Sequence, residues 1–385
     1  MTSMNIKNLA KKFNYYQNAV YFSSANHQHR YFGFGKSDEI ISNDVEEINN
    51  WQIKQTVPVF GGIPFDKQHL DSNLMNGYFI APQYVIDEKT GQSWGKIPQV
   101  DSQIQTNHLN KIISSINDVN WIARTTSPLQ EMLNDQKKKK VVLGMQKTIN
   151  LDYPLNLDKL IISLNKHQPN SYHLIIKNND EVFVSATPER LIRLNKSTIE
   201  TAAVAGTTNR DLNPKIDQQL ANDLKHDIKN LHEHELVVQE ITNKIANLAK
   251  LDYPDEPKIL KTPQVQHLYT PITGVLKQQT NLLQLVAALH PTPALGGIPL
   301  DWALSQIKNT ELNPRGLFAA PIGYVLPNGD GEFVIGIRSL WEKQRTVKLF
   351  AGAGILAGSN LTQEAREIKL KMSVMEDLIK EQLHE

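Results

Sequence analysis

Residues 172–204 read YHLIIKNNDEVFVSATPERLIRLNKSTIETAAV. Short runs rich in β-branched and aliphatic residues, at Tyr172–Lys177, Glu181–Ala186, Leu191–Leu194 and Thr198–Val204, alternate with turn-forming residues. Asn178-Asn179-Asp180 and Asn195-Lys196 supply the turns, so the stretch predicts an antiparallel meander. Downstream, apolar positions near Ile216, Leu220, Leu224, Ile228 and Leu231 predict one long helical region from about Pro214 to Ala249. A second helix fits Leu282–Leu289 and ends at His290-Pro291-Thr292-Pro293. Strands return at Phe318–Leu326, Glu332–Trp341 and Thr346–Ala351, the first two joined by Pro327-Asn328-Gly329-Asp330-Gly331. A last helix is predicted from about Thr362 to Leu383, capped by Ser359, Asn360 or Thr362. The first 125 residues carry weaker strand and helix patterns around Phe60-Gly61-Gly62-Ile63-Pro64-Phe65. Strands and helices come grouped rather than as repeated βαβ units, so the fold class is α+β, largely antiparallel sheets with helices on their outer faces.

Composition narrows the function. The 385 residues include no cysteine, which excludes a disulfide scaffold, thiol catalysis and zinc–thiolate sites. With 41 basic and 40 acidic residues, the net charge of +1 gives no electrostatic footprint for nucleic acid or an anionic membrane. Residues 1–22, MTSMNIKNLAKKFNYYQNAVYF, hold no apolar core of roughly 7–15 residues like that of a signal peptide. The longest apolar stretch, Leu282–Leu289, is broken by Gln284 and is too short to span a bilayer. A cytoplasmic protein with no membrane partner is expected. No internal repeat marks a solenoid, and no heptad seam or large apolar face discloses an oligomeric state.

Few motifs carry chemistry alone. Glu364, Glu367 and Lys371 stand at i, i+3 and i+7 of the last helix and share a face beside the apolar stripe Ile368, Met372, Met375. That face could hold a hard cation and an anionic ligand, or carry only an ordinary Glu367–Lys371 pair. In Leu231-His232-Glu233-His234-Glu235 the spacing is not that of a zinc-binding HExxH helix. A stripe through Leu231 would bury Glu235; the Val237, Ile241 stripe extends instead to His234 with Glu233 at its edge, and spacing leaves both open. Phe350-Ala351-Gly352-Ala353-Gly354-Ile355 falls short of a dinucleotide fingerprint. It and Val204-Ala205-Gly206-Thr207 are plain turns or places where a ligand approaches backbone N–H groups. Neither a Gly-x-Ser-x-Gly elbow nor a phosphate-binding Walker loop is present. Four lysines, Lys137–Lys140, precede Val141-Val142-Leu143-Gly144-Met145 and read as a solvated loop feeding a strand.

Order along the chain is more telling. Ala186-Thr187-Pro188-Glu189-Arg190, Val204-Ala205-Gly206-Thr207, Glu233-His234 and His290-Pro291-Thr292-Pro293-Ala294 are followed by Arg315-Gly316-Leu317-Phe318 and Ile337-Arg338. Phe350-Ala351-Gly352-Ala353-Gly354 and Glu364…Glu367…Lys371 complete the series. It resembles the chorismate-utilising enzymes, densely over residues 130–385, and Gly61–Asp66 (GGIPFD) adds a family-like signature. The resemblance implies one intimately packed unit over residues 1–385. Within it, residues 1–125 form a divergent N-terminal part and 126–385 a chorismate-binding catalytic core.

Within the family the chain is most similar to the isochorismate synthases. Aminodeoxychorismate synthases carry a nucleophilic lysine where Ala205 stands, and anthranilate synthases carry glutamine where Lys140 precedes Val141-Val142-Leu143. A lysine suits water as nucleophile, because a neutral amine takes water's proton as it attacks. His290–Ala294 also matches the isochorismate type. Salicylate synthases, which go on to eliminate pyruvate, usually have tyrosine and threonine where Phe318 and Ile337 stand, so these apolar residues favour stopping at isochorismate.

By resemblance, Glu233 and Glu367 bind Mg²⁺, with Glu364 acting through metal-bound water. Gly206 and Thr207 contact the ring carboxylate and Ala294 packs beside the ligand. Arg338 grips the enolpyruvyl carboxylate, helped by the Gly352 backbone and Lys371. Glu189 protonates the departing C4 hydroxyl, which requires a buried carboxyl with a raised pKa, while Lys140 delivers water to C2. No glutamine amidotransferase partner is implied. Salicylate synthase and a silent chorismate binder are the competing readings, and the destination of the product, menaquinone or siderophore, is not written in these motifs. Three departures stand out: Thr187 replaces the usual serine, Ala320 stands where glycine is frequent, and Lys140 is assigned by register with Lys139 as fallback.

Overall fold

In the computed structural model, residues 5–100, 109–262, 265–278 and 280–383 are described. Among them, two antiparallel sheets pack face to face. In one, the order runs Gly297–Ile298, Lys140–Leu151, Thr346–Ile355, Ser339–Lys343, Glu181–Thr187, Tyr172–Asn178, Asn18–Ser23, Arg30–Phe34, Tyr84–Asp87, Ser93–Gly95. Ile112–Asn117 pairs with Lys140–Leu151 off this path. In the other the order is Ala249–Asp252, Val265–Leu276, Thr198–Asn209, Arg190–Asn195, Gly331–Ile335, Pro321–Val325, Val59–Gly62, Tyr78–Ala81, Asp38–Ile41. Lys258–Lys261 pairs with Val265–Leu276.

Strands buried on both faces read as nearly continuous apolar runs, which is why Asn18–Ser23 and Tyr172–Asn178 are so hydrophobic. Aromatic rings join the sheets. Tyr324 lies 4.9 Å from Phe22 and from Tyr31 of the opposite sheet, and Tyr31 also packs on Phe60 across the interface at 5.9 Å. Such pairs add roughly 0.5–1.5 kcal/mol each beyond the area they bury. The fold is α+β, with helices Ile228–Ile245 and Leu361–Lys380 laid against strands Thr198–Asn209 and Thr346–Ile355.

The structure revises the predicted elements in ways that matter for function. Tyr172–Val204 is not one meander. Its two hairpins lie in different sheets, and the chain crosses between them at Pro188-Glu189. Likewise, Glu332–Trp341 is two strands, Gly331–Ile335 and Ser339–Lys343, in different sheets, with the crossing at Gly336-Ile337-Arg338. Arg338 turns this corner with φ +47, a conformation that periodicity cannot disclose. The predicted Pro214–Ala249 helix is two, Pro214–His226 and Ile228–Ile245, because extended Asp227 caps the second through Asn230 N–H at 2.7 Å. Phe318–Ala320 turns rather than extends, and the strand begins at Pro321. Conversely, strand Thr346–Ile355 runs on through Gly352-Ala353-Gly354, paired with Val142–Gly144. Of the three candidate caps of the last helix, Asn360 holds it, accepting from Thr362 and Gln363 N–H at 3.1 and 3.2 Å.

Candidate active site

The two sheet crossings and the open ends of the flanking strands enclose a cavity of about 330 Å³. All the residues singled out in the sequence line it: Lys140, Glu189, Gly206, Thr207, Glu233, Ala294, Phe318, Ile337, Arg338, Gly352, Glu364, Glu367 and Lys371.

Lys140 opens its strand and is 8% exposed, whereas Lys139 is exposed and its N–H donates to Ile298 O, so register selects Lys140. Gly354 gives the lysine room: a Cβ there would stand 3.0 Å from Lys140 Cε. The Lys140 ammonium donates to Glu233 Oε1 at 2.7 Å. Glu233 faces the cavity because its neighbour His234 is the buried one, tied to Thr270 Oγ1 at 2.8 Å and close to Ala205 O at 3.3 Å. Of the two stripes open in the sequence, the one through Val237 and Ile241 is therefore realised, and Glu235 points to solvent.

Glu189 sits at the first crossing, its N–H donating to Thr187 Oγ1 at 3.2 Å, so the threonine supplies the hydroxyl expected of serine. Burial pushes the Glu189 carboxyl up to about 7, against the pull of Lys140 and Lys371. Arg338, 7% exposed, has burial working against its charge, and its Nη1 finds no hydrogen-bond partner among the described residues. A desolvated guanidinium with an unused N–H beside a cavity calls for an anionic ligand. Lys371 reaches Glu367 at 2.7 Å and Gly352 O at 3.1 Å. Burial raises the Glu364 carboxyl and repulsion from Glu367 adds to it, although Ser359 Oγ donates to it at 2.9 Å.

Glu233, Glu364 and Glu367 present only oxygen donors, the set that a hard divalent cation takes. In this geometry lysines engage Glu233 and Glu367, and among the described residues no three acidic or histidine side chains stand gathered as a ligand set. Glu367 repels the Glu364 carboxyl, and a divalent cation held nearby would relieve that repulsion, so the residues fit such an ion.

Among the lining residues, His267 and Arg315 carry no role assigned from the sequence. His267 lies 2.9 Å from Thr207 Oγ1; burial, with Arg338 and Lys371 nearby, pushes it down to about 4, so it is neutral. A lone histidine in a stretch with no predicted element gives no signal of this. Gly206, with φ +74, forms a bulge that lets Asn230 approach the backbone. Arg315 is 1% exposed and lies over Phe65 at 4.2 Å. It pairs with Glu311 and donates to Leu295 O at 2.9 Å and Val142 O at 2.7 Å, while Glu311 accepts from Gly144 N–H at 2.7 Å. This buried pair fixes the strand behind Lys140 to the loop carrying Ala294. Phe318 stacks on Phe350, centroids 5.4 Å apart, and closes the apolar wall.

The isochorismate synthase MenF of Bacillus subtilis is 37% identical over 255 residues, covering 66% of this chain and 53% of that protein. The isochorismate synthase EntC of Escherichia coli is 35% identical over 238 residues, 61% of each. The chain thus spans about half to three fifths of the length of these curated relatives. The solved structure of MenF, the menaquinone-specific isochorismate synthase of Escherichia coli, shares the fold, with a TM-score of 0.83 over 98% of this chain and 92% of that one at 22% identity. The family described as Chorismate binding enzyme matches residues 96–380, about three quarters of the sequence. A cavity where two sheet crossings bring an acid, a lysine, an unsatisfied arginine and paired carboxylates together is thus carried by a chain that belongs to the chorismate binding enzymes.

Proposed function

We propose that this protein is a Mg²⁺-dependent isochorismate synthase, converting chorismate reversibly to isochorismate by adding water at C2 and losing the C4 hydroxyl. One observation carries the reading: Glu189, with its proton affinity raised, and Lys140 face one cavity beside the unsatisfied Arg338, while the lining residue Ala205 offers no amine.

Arg338 and Lys371 bind the enolpyruvyl carboxylate, with the Gly352 backbone alongside, and Gly206 and Thr207 the ring carboxylate. Glu189 gives its proton to the C4 oxygen, which leaves as water. Lys140, which must first give up its own proton to become the neutral amine, takes a proton from the water that attacks C2, and the reverse reaction exchanges the two roles. Phe318, backed by Phe350, and Ile337 keep bulk water from the ring. Glu233 and Glu367 would hold the cation, with Glu364 acting through its bound water, and it would supply charge neutralisation at the ring carboxylate. For Glu233 to do so it must leave Lys140, which frees the lysine for water.

We further place the activity in the cytoplasm and in a single packed unit, supported by strands such as Asn18–Ser23 and Val59–Gly62 lying inside the two sheets. Among the described residues no helix is long and apolar enough to cross a membrane. No amidotransferase partner is invoked. The test is incubation with chorismate and Mg²⁺, an EDTA control and Lys140→Ala, with products separated by chromatography. Isochorismate formed only with Mg²⁺ and Lys140, without pyruvate, supports the proposal. Salicylate with pyruvate moves the protein to the salicylate synthases, and tight chorismate binding without turnover overturns an enzymatic role.

A further inference from the structure

Behind Glu189, away from the main cavity, lies a second one of about 10 Å³, close to the smallest space that accommodates a water. Glu189, Val204 and Ala294 form the wall shared by the two cavities. The rest of the small cavity is apolar, from Leu191, Val237, Ile241 and Leu289, with three polar side chains at its edge. Two of those are spent. Thr201 Oγ1 donates to Leu191 O at 2.6 Å, and Arg190 donates to Glu332 and Glu200 at 2.7 Å each. Thr292 Oγ1 is the third: it is buried and finds no hydrogen-bond partner among the described residues. A buried hydroxyl without a partner is costly, so a fold that keeps one beside a water-sized space also walled by Glu189 implies that something fills it.

We infer that Thr292 holds a buried water against the Glu189 carboxyl, making Thr292 a positioning residue for the general acid. The inference rests on the role proposed for Glu189 above. Thr292 shares the loop of Ala294, so the same segment that packs beside the ligand also anchors the acid from behind. The water's hydrogen bond is strongest to the carboxylate left after proton donation, so it favours the transfer and keeps the carboxyl aimed at the cavity. Thr292 lines the small cavity, where Arg190 is the neighbouring charge, whereas Lys140, Glu233, Arg315, Arg338, Glu364, Glu367, Lys371 and the neutral His267 line the main one. A change at Thr292 therefore reports on Glu189.

Thr292→Val removes the hydroxyl and keeps the branched shape; Thr292→Ser keeps the hydroxyl. The Val variant is expected to lose about tenfold in kcat. Without the water's donated hydrogen bond the charged form is less favoured, so the alkaline limb of the pH profile moves up by about half to one pH unit. The Ser variant should restore both. Infrared difference titration of the Glu189 carboxyl, with Glu189→Gln as the subtraction reference, should show the same upward movement in the Val variant without any substrate. A high-resolution crystal structure should place an ordered water between Thr292 Oγ1 and the Glu189 carboxyl. A dry cavity, or a Val variant whose carboxyl titrates as in the wild type, overturns the inference. So does a loss of kcat with an unmoved pH profile, which marks a merely structural threonine. If the wild type does not turn over chorismate, the proposed function fails while the infrared titration still decides the water.

Discussion

Replacing Glu189 by glutamine should make the protein more stable and inactive at once. The carboxyl ordinarily titrates at 4.5 but in the folded cavity is pushed up to about 7 by burial. Between those two values the native state binds the proton that the unfolded chain has released. Wild-type stability is therefore full below 4.5 and falls as the pH rises through about 7. At about 1.4 kcal/mol per pH unit the complete cost is about 3 kcal/mol, and solvent in the open cavity lowers it to about 1–3 kcal/mol. Glutamine, close in shape and neutral, carries none of it. At about 2.1 cal/mol/K per residue, a chain of 385 residues gains about 1.2 °C in Tm for each kcal/mol. Differential scanning calorimetry should show Glu189→Gln melting about 1–4 °C above wild type at pH 8 and together with it at pH 4, with kcat down by about 10²–10⁴. Equal melting temperatures at pH 8, or a difference that persists unchanged at pH 4, would refute both the raised carboxyl and its assignment as the acid.

Arg338→Lys keeps the charge but loses the planar fork, so KM for chorismate should rise about a hundredfold with a smaller change in kcat, as steady-state kinetics will show; an unchanged KM removes Arg338 from substrate binding. Glu311→Ala leaves Arg315 buried without its carboxylate, and urea unfolding should register a loss of about 3–5 kcal/mol. Gly354→Ala puts a methyl 3.0 Å from Lys140 Cε, the movable end of a flexible chain. The fold should tolerate it while kcat drops about tenfold, and wild-type turnover would show that the lysine's placement there is not critical.

Much of the site was legible in the sequence, because motifs in fixed order carry chemistry that short-range patterns do not. Residue spacing put Glu364, Glu367 and Lys371 on one helix face, as the Leu361–Lys380 helix has them. Spacing did not decide between Glu233 and Glu235. Contacts of His234 with Thr270 and Ala205, 36 and 29 residues away, rotate that helix so that Glu233 faces the cavity. Strand periodicity also failed where the chain crosses between sheets, since local alternation continues through a corner that only the partner strands define. Those corners are where Glu189 and Arg338 stand. Thr292 and Arg315 lie within motifs of the series, but their burial and partners, like those of His267 and Glu311, arise from segments distant in sequence. What the sequence alone determined was the residue inventory: the α+β class, a cysteine-free chemistry, and the acid, lysine, arginine and carboxylates of the site. The tertiary structure decided which of them share a cavity, which are desolvated and which remain unpaired. Proton affinity and ligand demand depend on that long-range burial, not on neighbours along the chain.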